Sequence, residues 1–149
     1  MRSLGESAGR IDASADLRRR WGREQAERLV DRASALPDPD RVLVELVFRE
    51  GKSMSDIAAL RGVPPSVLRR RVRRLVRRMA SDEFLFVSRH VAPRHGGPCA
   101  WSGTRRRVAE ACVLRGLSLR QAATLLNLSL HTVRTHRVAL AAMFDAVRA

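Results

Sequence analysis

The sequence predicts an all-α protein made of two tandem helix-turn-helix units joined by a Pro/Gly linker. The first observation is a repeat: residues 51–72, GKSMSDIAALRGVPPSVLRRRV, recur 65 residues later as residues 116–137, GLSLRQAATLLNLSLHTVRTHR, without a gap. The second is that apolar residues elsewhere recur mostly at spacings of three and four, the period of an amphipathic helix. Strand signals such as an Asn-Gly hairpin turn do not occur.

The N-terminal part of the chain predicts two helices before the first repeat. Residues 1–15 are expected to be poorly ordered. A helix is expected over residues 16–36, and the prolines Pro37 and Pro39 then end it and start the next. That second helix is expected to run to about Glu50. Together with the first repeat they form an expected N-terminal domain of residues 16–80.

The first copy of the repeat carries a helix-turn-helix signal at each demanding position. Ser53 is a natural N-cap, and Asp56 three residues later can close a capping box. Ala58 is small, which lets a second helix cross close above it. Gly62 is expected at positive φ where the first helix ends, and Pro65 suits the first position of the next helix.

The second copy repeats these signals with other residues. Ser118 and Gln121 form the cap, and Ala122 is the small crossing residue. Asn127 takes the left-handed position, which Asn tolerates next best after Gly, and Ser129 caps the last helix. A plain helical hairpin with small residues at its crossing is the alternative, and finding the same set twice argues against it.

The copies differ at one structurally demanding position. Arg61 stands where the second copy has the apolar Leu126. The first copy is therefore expected either to use Leu60 in its place or to have less core at that point.

Between the copies the sequence predicts a long basic helix, a short helix and a linker. The second helix of the first copy is expected to continue to Met79, with seven arginines around an apolar stripe. Residues 84–91 tolerate either a helix or a strand, and a helix is favoured because a lone strand would have no partner. Residues 81–103 are expected to be a connecting helix and a Pro/Gly linker, followed by a second domain over residues 104–149.

The charge distribution indicates a polyanionic partner. The chain has 29 basic and 15 acidic residues, a net charge of +14. Residues 1–56 hold 11 of each sign, whereas residues 57–149 hold 18 basic and 4 acidic side chains. The positive excess therefore begins with the first helix-turn-helix, as expected of a surface that binds phosphates.

Two stretches resemble a known superfamily. Residues 36–79 resemble promoter-binding region four of bacterial sigma factors, with Leu-Pro before an amphipathic helix, Glu-Gly, a Ser-capped helix and an Arg-rich recognition helix. Residues 104–144 resemble the same superfamily and its LuxR-type relatives, above all in SLHTVRTH. The first stretch departs from the pattern at Pro64, which stands where a capping Ser is expected. Nothing before Leu36 resembles the sigma region that binds the polymerase core.

The register of the repeat selects the candidate DNA-binding residues. In a helix-turn-helix protein, exposed N-terminal side chains of the second helix face base edges, and flanking groups bind phosphates. The candidates are Ser66, Arg69, Arg70 and Arg73 in the first copy, and His131, Thr132, Arg134, Thr135, His136 and Arg137 in the second. His131 and Arg134 are predicted to contact bases, and the resemblance implies that Thr132 and His136 hold the DNA backbone. The first copy is expected to supply affinity and the second specificity.

Other kinds of site are not predicted. The spacing of His90, His95, Cys99 and Cys112 matches no compact zinc pattern, and no cofactor motif or catalytic constellation is present in the sequence. Six aromatic residues and no Tyr argue against single-stranded RNA binding. The sequence has two Cys, no signal peptide and no long apolar run, so we expect a cytoplasmic, nucleoid-associated protein with no membrane partner, cofactor or metal.

The predicted function is sequence-specific binding of double-stranded DNA by a non-enzymatic transcriptional regulator, as a monomer or a homodimer. One alternative is an interaction module for RNA polymerase or a sigma-associated factor, because regions of the resembled type dock polymerase as well as DNA. Another is an accessory protein of DNA packaging or recombination, which would use the same motif.

Overall fold

The computed structural model describes residues 22–91 and 101–149, and these two ranges contain eight helices and no strand. The helices are α1 (22–33), α2 (Asp38–Val44), α3 (Met54–Arg61), α4 (Pro65–Met79), α5 (Asp82–Val91), α6 (Gly103–Ala109), α7 (Leu119–Leu126) and α8 (Leu130–Arg148). The all-α class is confirmed, including the helix favoured for residues 84–91. The predictions for residues 1–15 and for most of the linker fall outside the described residues.

Helix α1 ends earlier than the sequence predicts. Of the helix expected over residues 16–36, residues 16–21 lie outside the described residues; the described part runs from residue 22 and ends at residue 33. Residues 34–36 form a turn in which the Leu36 N–H donates to the Ala33 carbonyl at 2.9 Å. The residue before a proline avoids helical backbone angles, so Pro37 accounts for this early end. Leu36 nevertheless stays in the hydrophobic core.

The structural repeat is longer than the sequence repeat. Helices α2 and α6 each continue into one π-helical turn, Glu45–Arg49 and Glu110–Leu114, at the same 65-residue offset. Each turn is followed by a glycine in the left-handed region, Gly51 at φ +65° and Gly116 at φ +67°. We call residues 38–79 the first repeat and residues 103–144 the second repeat. The two repeats have their helices at matching positions. That they are helix-turn-helix units stays a prediction.

The turn between the last two helices of each repeat has the predicted backbone. Gly62 has φ +64° and Asn127 has φ +53°, and both end the helix before them. The next amide reaches back into that helix: the N–H of Val63 donates to Ala58 at 3.1 Å, and that of Leu128 makes the same bond in the second repeat at 3.0 Å. The positive φ expected at both positions is confirmed.

The caps before α3 and α7 differ in completeness. The Ser53 hydroxyl accepts from the Asp56 N–H at 3.1 Å, and the Ser118 hydroxyl accepts from the Gln121 N–H at the same distance. In the second repeat the Gln121 side chain also accepts from the Ser118 N–H at 3.0 Å, which completes a capping box. Among the described residues the box is complete in the second repeat alone, so the box predicted for Asp56 is only half formed.

Helix α4 begins in register although its cap is a proline. It starts at Pro65, the repeat position of Leu130, where α8 starts. Ser129 caps α8 by accepting from the Thr132 N–H at 3.1 Å, whereas Pro64 has no side-chain oxygen to offer. The fixed φ of Pro65 suits a first helical position, so the departure at Pro64 does not move the helix start.

One hydrophobic core runs through both repeats. Helix α5 packs against α4 on one side and against the π-helical turn after α6 on the other. Its Phe84 and Val87 are fully buried in a cluster that includes Leu43 of the first repeat and Val108 of the second. The helix expected to connect two units is therefore a central element of a shared core.

Aromatic side chains extend the same junction. Phe86 of α5 lies 5.6 Å from Phe144 of α8 and 5.9 Å from Trp101, measured between ring centroids. His90 stacks on Trp101 with centroids 4.7 Å apart. Offset and tilted ring pairs of this kind add to the energy of burial, so they strengthen the attachment of α5 to the second repeat.

The mismatch between Arg61 and Leu126 has a structural outcome. Leu126 packs against the core, whereas Leu60 is 83% exposed and does not take its place. Arg61 is half-buried. The first of the two expectations, that Leu60 substitutes for Leu126, is wrong; the first repeat instead has less core at this point.

Candidate nucleic-acid interface

The carboxylate of Asp40 on α2 interacts with some of the arginines of α4 and not with the others. The Nε and Nη2 atoms of Arg71 both donate to its Oδ1 atom, at 3.1 and 2.7 Å, and Nη2 of Arg78 lies 3.8 Å from Oδ2. Positions seven residues apart lie two helical turns apart on one face, so a single carboxylate reaches both arginines. Asp40 is only 16% exposed, which strengthens these charge interactions relative to surface pairs.

The other arginines of α4 form the surface that we call the α4 arginine face. Its members are all exposed: Arg69, Arg70, Arg73, Arg74 and Arg77. Within residues 22–91 and 101–149, none of them has an ion pair or a side-chain hydrogen bond. Ser66 is exposed at the N-terminal end of the same helix. Helix α4 therefore presents a line of uncompensated positive charge to solvent.

Part of this face is predicted by the sequence. Arg69, Arg70 and Arg73 are exposed as predicted, whereas Arg74 and Arg77 were not named. Helical spacing could have predicted both residues, because positions 74 and 77 each lie four residues after a predicted arginine and therefore on the same side of the helix.

Arg78 connects the two repeats. Burial lowers the pKa of its guanidinium, the Asp40 carboxylate acts in the opposite direction, and Arg74 lowers it further. Its side chain lies over Gly116 of the second repeat: a Cβ atom at Gly116 would be 3.0 Å from Cζ of Arg78 and closer still to a terminal nitrogen. The absence of a side chain at position 116 therefore leaves room for Arg78.

In the second repeat, the two residues predicted to contact bases are exposed. His131 and Arg134 lie on the first two turns of α8, beside the exposed Thr135, whose hydroxyl donates to the His131 carbonyl at 2.9 Å. Thr132 is half-buried, and its hydroxyl lies 2.8 Å from that of the capping residue Ser129. This surface combines one guanidinium, one imidazole and hydroxyl groups.

The structure places Arg137 in an ion pair with α5. Its guanidinium makes a two-pronged ion pair with Glu83 of α5, with N–O distances of 2.5 and 3.2 Å. It occupies the repeat position of Val72, which is buried. Arg137 is therefore engaged by α5, in the register of an inward-facing residue, and its contact with DNA stays a prediction. Glu83 lies 54 residues away, and nothing local in the sequence indicates that pairing.

His136 lies on α8, which packs against α6. It is half-buried and stands at the repeat position of Arg71. In the part of the chain that the structure describes, its Nδ1 atom is shielded from solvent and has no hydrogen-bond partner. The backbone contact that the resemblance implies for His136 would therefore have to come from the edge of the ring that reaches the surface.

Further along α8 the second repeat loses the charges of the first. Val138 stands at the repeat position of Arg73 and is 69% exposed. The exposed Ala142 stands at the position of Arg77. The positions of α8 that correspond to Arg73 and Arg77 therefore carry an apolar residue and a small one.

Metal-binding and membrane-spanning features are not found in the described residues. Residues 22–91 and 101–149 contain no group of three or more His, Cys, Asp or Glu side chains that could hold a metal ion. His95 and Cys99 of the rejected zinc set lie outside those ranges, and burial raises the pKa of the Cys112 thiol, with nearby Arg137 opposing it. No helix in these ranges combines the length and apolarity that a membrane crossing requires.

No family model, no curated protein and no solved structure matches the chain. The class that the fold and the surface define is a strongly basic, all-helical protein with a repeated helical unit around one core. What the protein does must accordingly be argued from its own side chains.

Proposed function

We propose that the protein is a sequence-specific double-stranded DNA-binding transcriptional regulator of the sigma region four type, using α4 and α8 as recognition helices. The observation that carries the proposal is the α4 arginine face, whose guanidinium groups have no acidic partner in the described residues. A row of uncompensated guanidinium groups is suited to a polyanion. An α-helix with its side chains is about 10–12 Å across, close to the width of the DNA major groove.

The two helices differ in what they can contribute to binding. The α4 arginine face can bind phosphates at any sequence, because a guanidinium binds phosphate in two-pronged geometry without reading bases. On α8, His131, Arg134 and Thr135 offer mixed donors and acceptors, the chemistry needed to distinguish base edges. We therefore assign affinity mainly to α4 and specificity mainly to α8.

A protein partner is the second candidate, and exposed apolar residues favour it. Leu60 of α3 and Leu125 of α7 occupy the same repeat position, and they are 83% and 52% exposed. Together with Val138 on α8 they provide apolar contact points on both repeats. RNA polymerase or a sigma-associated factor would be the partner under this candidate.

The deciding experiment is selection of bound duplexes from a random-sequence pool, followed by measurement of affinity against salt concentration. We expect a motif with two unlike half-sites about one helical turn apart, since α4 and α8 carry different residues. Binding that falls steeply with salt and recovers no motif would overturn the proposal. It would leave a DNA-packaging or recombination accessory role, or the polymerase partner.

A pair of charge-matched variants tests the division between α4 and α8. Replacing Arg69 and Arg70 by Ala should weaken binding to all sequences alike, by about tenfold or more, and should reduce the slope of log affinity against log salt by about 1.8. The control replaces Arg23 and Arg28, two exposed arginines of α1, and removes the same charge elsewhere. A change of preference at one base position in the α4 variant would contradict its assignment to affinity.

A further inference from the structure

The two repeats differ in charge at the contact between their first and last helices. In the first repeat, Asp40 of α2 holds Arg71 of α4 at 2.7 Å. At the same offset of 65 residues, the second repeat has Arg105 of α6 in place of Asp40 and His136 of α8 in place of Arg71. Helices α6 and α8 pack against each other. A carboxylate–guanidinium pair is thus replaced by two nitrogen-donor side chains.

Both of these side chains have unused hydrogen-bonding capacity. Within residues 22–91 and 101–149, Nε of Arg105 and Nδ1 of His136 are shielded from solvent and have no hydrogen-bond partner. The residues themselves are only half-buried, so the rest of each polar group lies near the surface. Unsatisfied buried polar atoms are destabilising, and an unpaired guanidinium and an unpaired imidazole on two helices that pack together favour an anion.

The acidic residues of the surrounding elements do not supply that anion. Glu110, which follows α6, pairs with Arg106 at 3.2 Å. Glu83 of α5 is bound to Arg137. Asp145 lies nine residues beyond His136 on α8, a distance of about 13 Å along the helix axis.

We propose that Arg105 and His136 form an anion-binding site that takes one phosphate group. A guanidinium and an imidazole N–H bind phosphate oxygens through charge-assisted hydrogen bonds. Assigning that phosphate to the DNA backbone rests on the proposed function, whereas the site itself does not. In the first repeat the Asp40 carboxylate already fills the equivalent position, so the site belongs to the second repeat. Arg105 was not among the residues that the sequence analysis named.

The first arm of the test measures thermal unfolding in phosphate and in chloride at matched pH and ionic strength. The variant R105D with H136R rebuilds the Asp40–Arg71 pair of the first repeat inside the second, so it removes the site while restoring an internal ion pair. At a phosphate concentration ten times the dissociation constant, the wild-type midpoint should rise by about 3 °C more than that of the variant. The neutral variant R105Q with H136Q serves if the first fails to fold.

The second arm identifies the source of the phosphate. If DNA occupies the site, the slope of log affinity against log salt falls by about 0.9 in R105D with H136R, the loss of one phosphate contact. If the slope is unchanged while the thermal difference remains, the site takes free phosphate instead. If phosphate raises the thermal midpoint of the wild type and of both variants by the same amount, the proposal is wrong. That result is expected if Arg105 and His136 form a hydrogen bond only with each other. Since the thermal arm needs no DNA, it stands even if DNA binding fails.

Discussion

The first and second repeats follow the same backbone course but distribute their charges differently. Both have a π-helical turn, a left-handed glycine and a left-handed turn residue at matching positions. In the first repeat, Asp40 pairs with Arg71 and lies near Arg78, and the five other arginines of α4 are exposed. In the second, the carboxylate is absent from that position, and Arg137 is held by α5. The two repeats therefore share their special backbone positions and differ in the charges of their surfaces.

The largest expected difference between the repeats concerns their left-handed glycines. Gly51→Ala should destabilise the protein by about 1–2 kcal/mol, the cost of a side chain at positive φ. Gly116→Ala has the same backbone cost and also displaces Arg78, so we expect about 2–4 kcal/mol. At Gly51, by contrast, an added Cβ would meet no described atom within 4 Å. Chemical denaturation of both variants measures the difference.

A second pair of variants tests whether Arg78 causes the larger loss of stability expected at Gly116. In a background carrying Arg78→Ala, the obstruction over Gly116 is gone, so alanine at Gly116 and at Gly51 should then cost equal amounts within about 0.5 kcal/mol. If the difference persists in that background, Arg78 is not its cause.

The next largest difference is expected at the helix caps. Ser118→Ala and Ser53→Ala each remove one hydroxyl bond to a backbone N–H, so we expect similar losses of about 1 kcal/mol. The second repeat has one further bond, from the Ser118 backbone N–H to the Gln121 side chain, which Gln121→Ala removes. We expect that variant to lose about 0.8 kcal/mol, measured as a shift in denaturant midpoint. An unchanged midpoint for Gln121→Ala would show that the Gln121 bond adds nothing.

The smallest expected effect is at the turn residues. Asn127→Gly should stabilise the protein by about 0.5 kcal/mol, and Gly62→Asn should destabilise it by a similar amount, because Gly adopts positive φ with the least strain. Thermal melts of the two variants measure the shifts. Shifts in the same direction would mean that side-chain contacts outweigh the backbone preference.

Local features of the fold were predictable from the sequence. Turns and helix caps depend only on neighbouring residues. This applies to the left-handed turns at Gly62 and Asn127 and to the caps at Ser53, Ser118 and Ser129. The π-helical turns were not predicted, because no residue type marks them. The shared core around α5 depends on contacts between the two repeats, which a pattern read within each repeat does not contain.

The candidate interface likewise has features that the sequence predicts and features that it does not. The exposure of Arg69, Arg70, Arg73, His131 and Arg134 follows from helical register, which the sequence supplies. The inward orientation of Arg137 depends on Glu83, an ion pair between distant parts of the chain. The charge reversal at Arg105 becomes visible only when the repeat is extended back to α2 and α6.

The shared core also constrains how the two halves can change over evolutionary time. Phe84 and Val87 of α5 are fully buried in a cluster that draws on both repeats. A substitution there alters the packing of both halves at once, so compensating changes must arise in both. The exposed arginines of α4 take no part in this packing. Packing therefore restricts the junction to coordinated changes in both halves, whereas only binding can restrict the exposed face of α4.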